Sequence, residues 1–219
     1  MVTVYYSWIP DNLAPACEAR WLAQLCTEKR EAIKRLQLAK GRAASLLGLR
    51  LLKHGMRAYG YGDFDLAAVR FPRGGKPCCA LPIDFNITHS KELVACALSS
   101  TGSIGIDTEN LRPIDIDSFG RFLSADEYAR VDGDRRRFFE LWTQKEAVVK
   151  AHGDGGIVNL RKVSVWQGQG ILGSQIWWLH PLDIHPDYVT HVATAADSPI
   201  GIEYVEFSNR PLSGTASID

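Results

Sequence analysis

The sequence predicts an α+β protein made of two similar α/β halves, each with a small, mostly antiparallel sheet packed with helices. Of its 219 residues, 46% are hydrophobic and 23% are charged, so the chain can bury a good core as one large domain or as two small halves. Long helical patterns alternate with short β-type runs bounded by Gly, Pro and Ser, which is typical of small antiparallel sheets. A similarity between two parts of the chain supports the division into halves.

The first part of the chain begins with an alternating strand pattern and continues with two helical patterns. The strand covers residues 2–9, and the helical patterns cover residues 15–38 and 42–59. Four short β-type runs follow. They are AAVRF at 67–71, FNITHS at 85–90, ELVACALSS at 92–100 and GSIGIDTE at 102–109.

The second part of the chain is predicted to form two helices and then further strands. Ser124 to Glu127 read SADE, which has the spacing of a capping box and opens the first helix. The longer helix runs through FFELWTQKEAVVKAHGDG, Phe138 to Gly155. GQGILG matches a dinucleotide-binding fingerprint but opens no helix, so we interpret it as a hairpin turn. After the longer helix, a strand pattern in KVSVW precedes GQGILG, and further strand patterns in QIWWL, YVTHVATAA and IGIEYVEF come after it.

A shift of 96 residues places ACALSSTGSIGIDTE over HVATAADSPIGIEYV. Each segment is a strand, a turn and an IGI followed by an acid, although two unrelated β-hairpins could also match in this way. Only the first segment keeps two acids, Asp107 and Glu109, so we expect one active site per chain, in the cleft between the halves. We predict a half at 1–102, a half at 103–210 and a flexible tail at 211–219.

Composition excludes several classes of protein. The 25 basic and 25 acidic side chains provide no overall field for nucleic acid or an anionic membrane, so we expect neither as a partner. The five cysteines show no zinc-like spacing, and the first residues lack the pattern of a signal peptide. We therefore expect a cytoplasmic protein. Sequence motifs of P-loop enzymes, α/β-hydrolases and zincins do not occur.

Glu146 stands at a position where a helix should be apolar. At about 100° per residue, an arc of roughly 140° contains Glu146 with two other charged residues, Lys145 and Lys150, and the apolar residues Phe138, Phe139, Trp142 and Val149. A buried lone carboxylate costs several kcal/mol unless it is paired or binds a cation. We therefore expect Glu146 to have a partner elsewhere in the chain.

Asp107 and Glu109 are the predicted partners of Glu146. In a strand, Gly105, Asp107 and Glu109 share one face while Ile104 and Ile106 point to the core. Carboxylates this close repel one another unless a proton or a cation lies between them, and oxygen ligands suit Mg²⁺. The alternative is that Asp107 begins a turn and Glu109 is an exposed surface acid.

Other polar side chains suit phosphate oxygens. Lys145 and Lys150 flank Glu146, and the glycine-rich HGDGG follows the helix. For Lys150 the alternative is an ordinary helix salt bridge with Glu146. The end of FNITHS offers Thr88, His89 and Ser90 as donors to phosphate, and Lys76 lies in the predicted turn GGKP.

These motifs together resemble a known family. GGKP, FNITHS, GIDTE and WTQKEAVVKAHGDG, in this order and at these separations, are similar to the signature of the 4'-phosphopantetheinyl transferases. The resemblance is to the longer, surfactin-synthetase-activating type, which acts on nonribosomal peptide and polyketide synthases. It implies a monomer with two similar halves. It also implies transfer of the phosphopantetheine arm of coenzyme A to a serine of an apo acyl or peptidyl carrier protein or carrier domain, with release of adenosine 3',5'-bisphosphate.

The resemblance also implies a role for each site residue. Asp107, Glu109 and Glu146 would hold Mg²⁺, and Glu146 would accept the serine proton directly or through water. Lys150 would pair with the phosphates, while Lys145 would do the same or orient Glu146. The remaining coenzyme contacts would come from Lys29, Arg42, Ser45, Lys76, Pro77, Thr88 and His89.

The match departs from the family pattern in the N-terminal helices. Ala32 and Ala44 stand where members often have a lysine and an arginine, and Lys34 or Arg42 would have to substitute. Two other functions use some of the same residues. One is a different Mg²⁺-dependent phosphotransferase or hydrolase that cleaves a pyrophosphate, and the other is a noncatalytic module that binds carrier proteins.

Overall fold

The computed structural model of the chain describes residues 1–153 and 157–208. It confirms a mixed α+β class with two sheets and several helices. In chain order the helices and strands are β1 Val2–Trp8, α1 Pro15–Ala23, α2 Thr27–Lys34, α3 Ala39–Ala58, β2 Asp84–Ser90, β3 Leu93–Ser99, β4 Ile104–Asn110, α4 Ala125–Val131, α5 Arg135–His152, β5 Ser164–Trp166, β6 Gln169–Leu172, β7 Gln175–Leu182, β8 Tyr188–Thr194 and β9 Ile200–Tyr204.

The two sheets are almost entirely antiparallel, as predicted. The first sheet has the strand order β2-β3-β1-β9 and the second has the order β4-β8-β7-β6-β5. The parallel pair is β1 with β9, so residues 200–204 join the sheet formed by the first part of the chain. The division into halves at residue 103 stays a prediction, and the predicted tail at 211–219 lies outside the described residues.

Three apolar clusters arrange the molecule in layers. One cluster packs helices α1 to α3 on the first sheet, and another packs α5 on the second sheet. The third lies between the sheets and contains Val4, Ile104, Ile106 and Val192, each fully buried. Ile104 and Ile106 therefore point into a core, as the alternation in this strand predicts. None of the helices in the described ranges combines the length and apolar character needed to cross a membrane.

Three local predictions are wrong. The helical pattern at 15–38 forms two helices, because α1 ends at Ala23 and Arg30 donates to the carbonyl oxygens of Leu22 and Leu25, at 3.1 and 2.9 Å. Residues 67–71 are not a strand, since Asp65 caps a short 3₁₀ turn at Leu66–Ala68. The segment GQGILG is not only a turn, because four of its residues form β6.

The predicted capping box is confirmed at the start of α4. Ser124 accepts a hydrogen bond from the backbone N–H of Glu127, and the Glu127 carboxylate accepts one from the N–H of Ser124, at 3.2 and 2.8 Å. These bonds satisfy two backbone donors that the first turn leaves free. They also fix the Glu127 side chain beside α5, where it meets Lys145.

Candidate active site

A close approach between α5 and β4 brings the predicted site residues together. A Cβ atom on Gly105 would lie 2.0 Å from the carbonyl oxygen of Ala147 and 2.4 Å from the backbone N of Ala151. Because any larger residue would push the helix away, Gly105 lets α5 lie directly on the strand. Lys150 and Glu146 are consequently held beside Asp107, which shares the helix-facing side of β4 with Gly105.

Asp107 and Lys150 form the centre of the site. The Nζ atom of Lys150 donates to Asp107 Oδ1 at 2.6 Å and to the carbonyl oxygen of Ile106 at 3.3 Å. Thr88 Oγ1 donates to the same Asp107 oxygen at 3.2 Å. The alternative for Lys150, a helix salt bridge with Glu146, is not the contact found, because the ammonium donates to Asp107 on β4.

The second oxygen of Asp107 is buried without a partner among the described residues. Burial raises the pKa of Asp107, and the charge of Glu109 raises it further, while Lys150 acts in the opposite direction. An unpartnered buried oxygen is costly, so it indicates a missing donor or cation at this position. The carboxylate oxygens at this position are ligands of the kind that a hard cation prefers.

Glu109 lies at the outer end of the same face. Its Oε2 atom accepts hydrogen bonds from Ser90 Oγ at 2.8 Å and from Arg112 Nη1 at 2.6 Å. The alternative of a free surface acid is therefore wrong for Glu109. Sequence reasoning missed Arg112 and the contact of Ser90, although both residues lie in the quoted motifs or next to them.

Glu146 is half-buried rather than deep in the apolar stripe. Burial raises the pKa of Glu146, and the nearby charges of Asp107 and Glu109 raise it further, while Lys150 opposes the shift. The charges of Asp107 and Glu109 therefore affect Glu146, and the cation expected between the three acids stays a prediction. Within the described ranges, however, no group of three or more His, Cys, Asp or Glu side chains is arranged to hold a metal ion.

The charge that α5 buries most deeply belongs to Lys145. Its side chain is 1% exposed and donates to Glu127 Oε2 at 2.6 Å, and burial lowers the pKa of Lys145. This pair joins α5 to α4, on a different side of the helix from Lys150. Lys145 has no exposed ammonium for a coenzyme phosphate, so the structure does not bring it to the site as the sequence predicted.

A polar seam, which consists of Asp84, Asn86, Thr88 and Ser90, connects the two sheets beside the site. Each of these β2 side chains accepts a hydrogen bond from a backbone N–H of β4, at 2.8, 3.0, 3.3 and 3.1 Å in chain order. The alternating polar residues of DFNITHS are the sequence signal for this arrangement, and sequence reasoning did not use it.

The predicted coenzyme residues lie around the first sheet and its helices. Lys76 contacts Asp84 and donates to the carbonyl oxygen of Ile104 at 2.6 Å, so it lies at the other end of the polar seam from Ser90. His89 is exposed, and partial desolvation and the Lys150 charge lower its pKa. Pro77 and Ser45 are half-buried.

Two predicted phosphate ligands are engaged within the N-terminal helices. Arg42 donates to Glu18 Oε1 at 2.8 Å and to the carbonyl oxygen of Leu36 at 3.0 Å. The Lys29 ammonium lies 4.5 Å from the centre of the Phe71 ring, and burial lowers its pKa. Of the HGDGG segment, Gly153 ends α5 with a φ of 87°, while residues 154–156 lie outside the described ranges.

A buried histidine beside the site was also missed by sequence reasoning. His191 on β8 pairs with Asp107 across the sheet, and its ring contacts Thr143 Oγ1 at 2.8 Å and Gln144 Nε2 at 3.3 Å. Burial lowers the pKa of His191 to about 4. Because Thr143 already donates to the carbonyl oxygen of Phe139, its oxygen accepts from the imidazole, which is neutral and holds α5 against β8.

Comparison with known proteins yields a family model and several relatives. The model of the 4'-phosphopantetheinyl transferase superfamily matches residues 103–202. A 4'-phosphopantetheinyl transferase of Bacillus subtilis is 34% identical over 172 residues, which cover 74% of this chain and 75% of the relative. The transferase Sfp of Bacillus subtilis strain 168 is 33% identical with the same coverage. The transferase gsp of Aneurinibacillus migulanus is 36% identical over 71% of this chain and 67% of its own length.

Proposed function

The chain belongs to the 4'-phosphopantetheinyl transferases and is a transferase enzyme, and from this premise we propose its reaction. It transfers the 4'-phosphopantetheine arm of coenzyme A to a serine hydroxyl of an apo acyl or peptidyl carrier protein, or of a carrier domain. The serine oxygen forms a bond to the phosphorus of the pantetheine phosphate. The bond from that phosphorus to the bridging oxygen breaks, and adenosine 3',5'-bisphosphate leaves.

The observation that supports this proposal most is the arrangement at Asp107. One of its oxygens is held by Lys150 and Thr88, while its other oxygen is buried and unpartnered among the described residues. A carboxylate held in this way beside an ammonium is suited to a site where a cation and phosphate oxygens meet. Asp107, Glu109 and Glu146 would hold Mg²⁺, which when bound offsets negative charge on the leaving phosphate oxygen.

Lys150 and Glu146 have different tasks in this proposal. The side chain of Lys150 is 28% exposed, and its ammonium would meet a phosphate oxygen while it stays on Asp107. Glu146 accepts the proton of the attacking serine, directly or through one water molecule. Since α5 carries both residues one turn apart, the close packing at Gly105 sets the position of both.

Residues on the first sheet and its helices would bind the coenzyme. His89 would donate to phosphate oxygens beside Lys150, while Lys76 and Pro77 would lie beside the adenine. Thr88 lies 3.5 Å from Lys150 Nζ, but it already donates its single hydroxyl hydrogen to Asp107, so it supports this site through that acid. Lys29, Ser45 and Arg42 would serve the 3'-phosphate, for which Arg42 exchanges its contact with Glu18. Lys145 is left out of this set because it is buried against Glu127.

The proposal also covers the location, oligomeric state and pathway of the enzyme. It acts as a cytoplasmic monomer of two similar halves, with the active site between them, and serves fatty acid, polyketide or nonribosomal peptide synthesis. Two other functions make different predictions. A Mg²⁺-dependent pyrophosphate hydrolase consumes coenzyme A without a carrier, and a noncatalytic module binds the carrier without changing its mass.

We expect transfer to depend on a divalent metal ion. The purified protein, coenzyme A and a panel of apo carrier proteins are incubated with Mg²⁺ or with excess chelator, and intact masses are measured. One phosphopantetheine per carrier should appear with Mg²⁺ and not with chelator, because the three carboxylates and the phosphates need a cation between them. Undiminished transfer in chelator would refute the metal assignment, and cleavage of coenzyme A without any carrier would favour the hydrolase.

A further inference from the structure

Ser90, at one end of the polar seam, makes two hydrogen bonds that together fix the direction of its hydroxyl. Its oxygen accepts from the backbone N–H of Asn110 at 3.1 Å and lies 2.8 Å from Glu109 Oε2. A hydroxyl has a single hydrogen, and a carboxylate can only accept it. Ser90 therefore donates to Glu109, and the backbone of β4 holds it in place while it does so.

Thr88 repeats this arrangement two residues earlier. Its oxygen accepts from the N–H of Thr108 at 3.3 Å and donates to Asp107 Oδ1 at 3.2 Å. The spacing of two between the hydroxyls on β2 matches the spacing of two between the acids on β4. Each acid therefore has its own hydroxyl across the polar seam.

The contacts leave one oxygen of each acid available. At Asp107 the bonds of Lys150 and Thr88 both fall on Oδ1, while Oδ2 is unpartnered among the described residues. At Glu109 the bonds that the structure describes, from Ser90 and Arg112, both fall on Oε2. One oxygen of each acid is thus held by a cationic side chain, Lys150 or Arg112, and by a hydroxyl. The other oxygen is left for a ligand.

We propose that Ser90 is a positioning residue for Glu109, which it holds so that Oε1 is presented to Mg²⁺. This inference rests on the proposed function. Glutamate has three rotatable side-chain bonds, and fixing one oxygen before the metal arrives reduces the entropy that binding would otherwise cost. Ser90 itself touches neither the metal nor the substrate in this account.

Asn86 provides a matched control in the same polar seam. It accepts from the N–H of Ile106 at 3.0 Å and is 7% exposed, close to the 8% of Ser90. Its contact in the described structure is to the backbone of β4, with no carboxylate involved. Asn86→Ala and Ser90→Ala therefore each leave one β4 N–H without its acceptor, but only Ser90→Ala releases Glu109.

The test measures Mg²⁺ binding by calorimetry in the presence of coenzyme A, for wild type, Ser90→Ala, Ser90→Thr, Asn86→Ala and Asp107→Asn. We expect Ser90→Ala to raise the Mg²⁺ dissociation constant about tenfold, as loss of an outer-shell partner does. Ser90→Thr keeps the hydroxyl and should bind within about threefold of wild type. In transfer assays, Ser90→Ala should raise the Mg²⁺ concentration for half-maximal rate while saturating Mg²⁺ restores kcat.

Three results would overturn the inference in distinguishable ways. If Asp107→Asn loses Mg²⁺ and Ser90→Ala binds it as wild type does, Ser90 has no positioning role and the proposed function stands. If Asn86→Ala weakens Mg²⁺ as much as Ser90→Ala, the effect comes from the polar seam as a whole and not from Glu109. If the wild-type protein with coenzyme A binds no Mg²⁺, the proposed metal dependence fails together with this inference.

Discussion

We expect Glu146→Gln to lower the rate of transfer by about 10² to 10⁴, which is the range for loss of a general base. The amide keeps the size of the side chain but can neither accept the serine proton nor contribute a negative charge to Mg²⁺. Coenzyme A binding should survive better than turnover, because Lys150 stays bonded to Asp107 at 2.6 Å. The measurements are turnover with saturating apo carrier and coenzyme A affinity by calorimetry.

Glu140→Gln is the matched control for this variant. Glu140 is also half-buried and lies on the same helix, but it stands outside the group formed by Asp107, Glu109 and Lys150. Its amide variant should transfer at nearly the wild-type rate. A wild-type rate for Glu146→Gln would mean that Glu146 is neither base nor essential ligand, and its half-buried position would then need another explanation.

We expect Lys145→Met to lower the free energy of unfolding by about 3 to 5 kcal/mol, because it leaves Glu127 buried without its cationic partner. The two side chains are 1% and 6% exposed, and the distance between their charged atoms is 2.6 Å. Methionine retains the length of the lysine stem, so the packing loss is small. Urea denaturation measures the change, and the double variant Lys145→Met with Glu127→Leu should recover much of the stability.

Lys34→Met is the control for the same chemical change at an exposed ion pair. Lys34 and Glu31 are 51% and 48% exposed, so removal of their pair should cost less than about 1 kcal/mol. If Lys145→Met were as stable as wild type but bound coenzyme A weakly, Lys145 would be a phosphate ligand after all. The structural role assigned to the Lys145–Glu127 pair would then be wrong.

Local patterns in the sequence were sufficient for much of the fold. The alternation in β4 predicted which side chains face the core, and the SADE spacing predicted the start of α4. The pattern at 15–38 did not show the break at Gln24, because α1 and α2 both contribute apolar residues to one core and so keep a helical period. The strand predicted at 67–71 failed because the side chain of Asp65 caps a turn there, which apolar content alone does not indicate.

Only part of the candidate site could be predicted from the sequence, and the reason is related. A helical arc shows which residues share a side of α5, but it does not show what lies opposite them. It therefore treated Lys145 and Glu146 alike, whereas Glu127 on α4 takes Lys145 into the core and Asp107 on β4 lies near Glu146. The role of Ser90 depends on the contact between β2 and β4 across the polar seam, which a single strand pattern does not specify.

The proposed transfer is tested by the masses of the apo carrier proteins of the panel after incubation with coenzyme A and Mg²⁺, with wild-type enzyme and with Asp107→Asn. We expect wild type to add one phosphopantetheine to a carrier serine, located by fragmentation of the product. Asp107→Asn should add almost none in the same time, since it removes the carboxylate that Lys150 and Thr88 orient. Equal modification by a folded Asp107→Asn variant, or none by wild type with any carrier of the panel, would contradict the account.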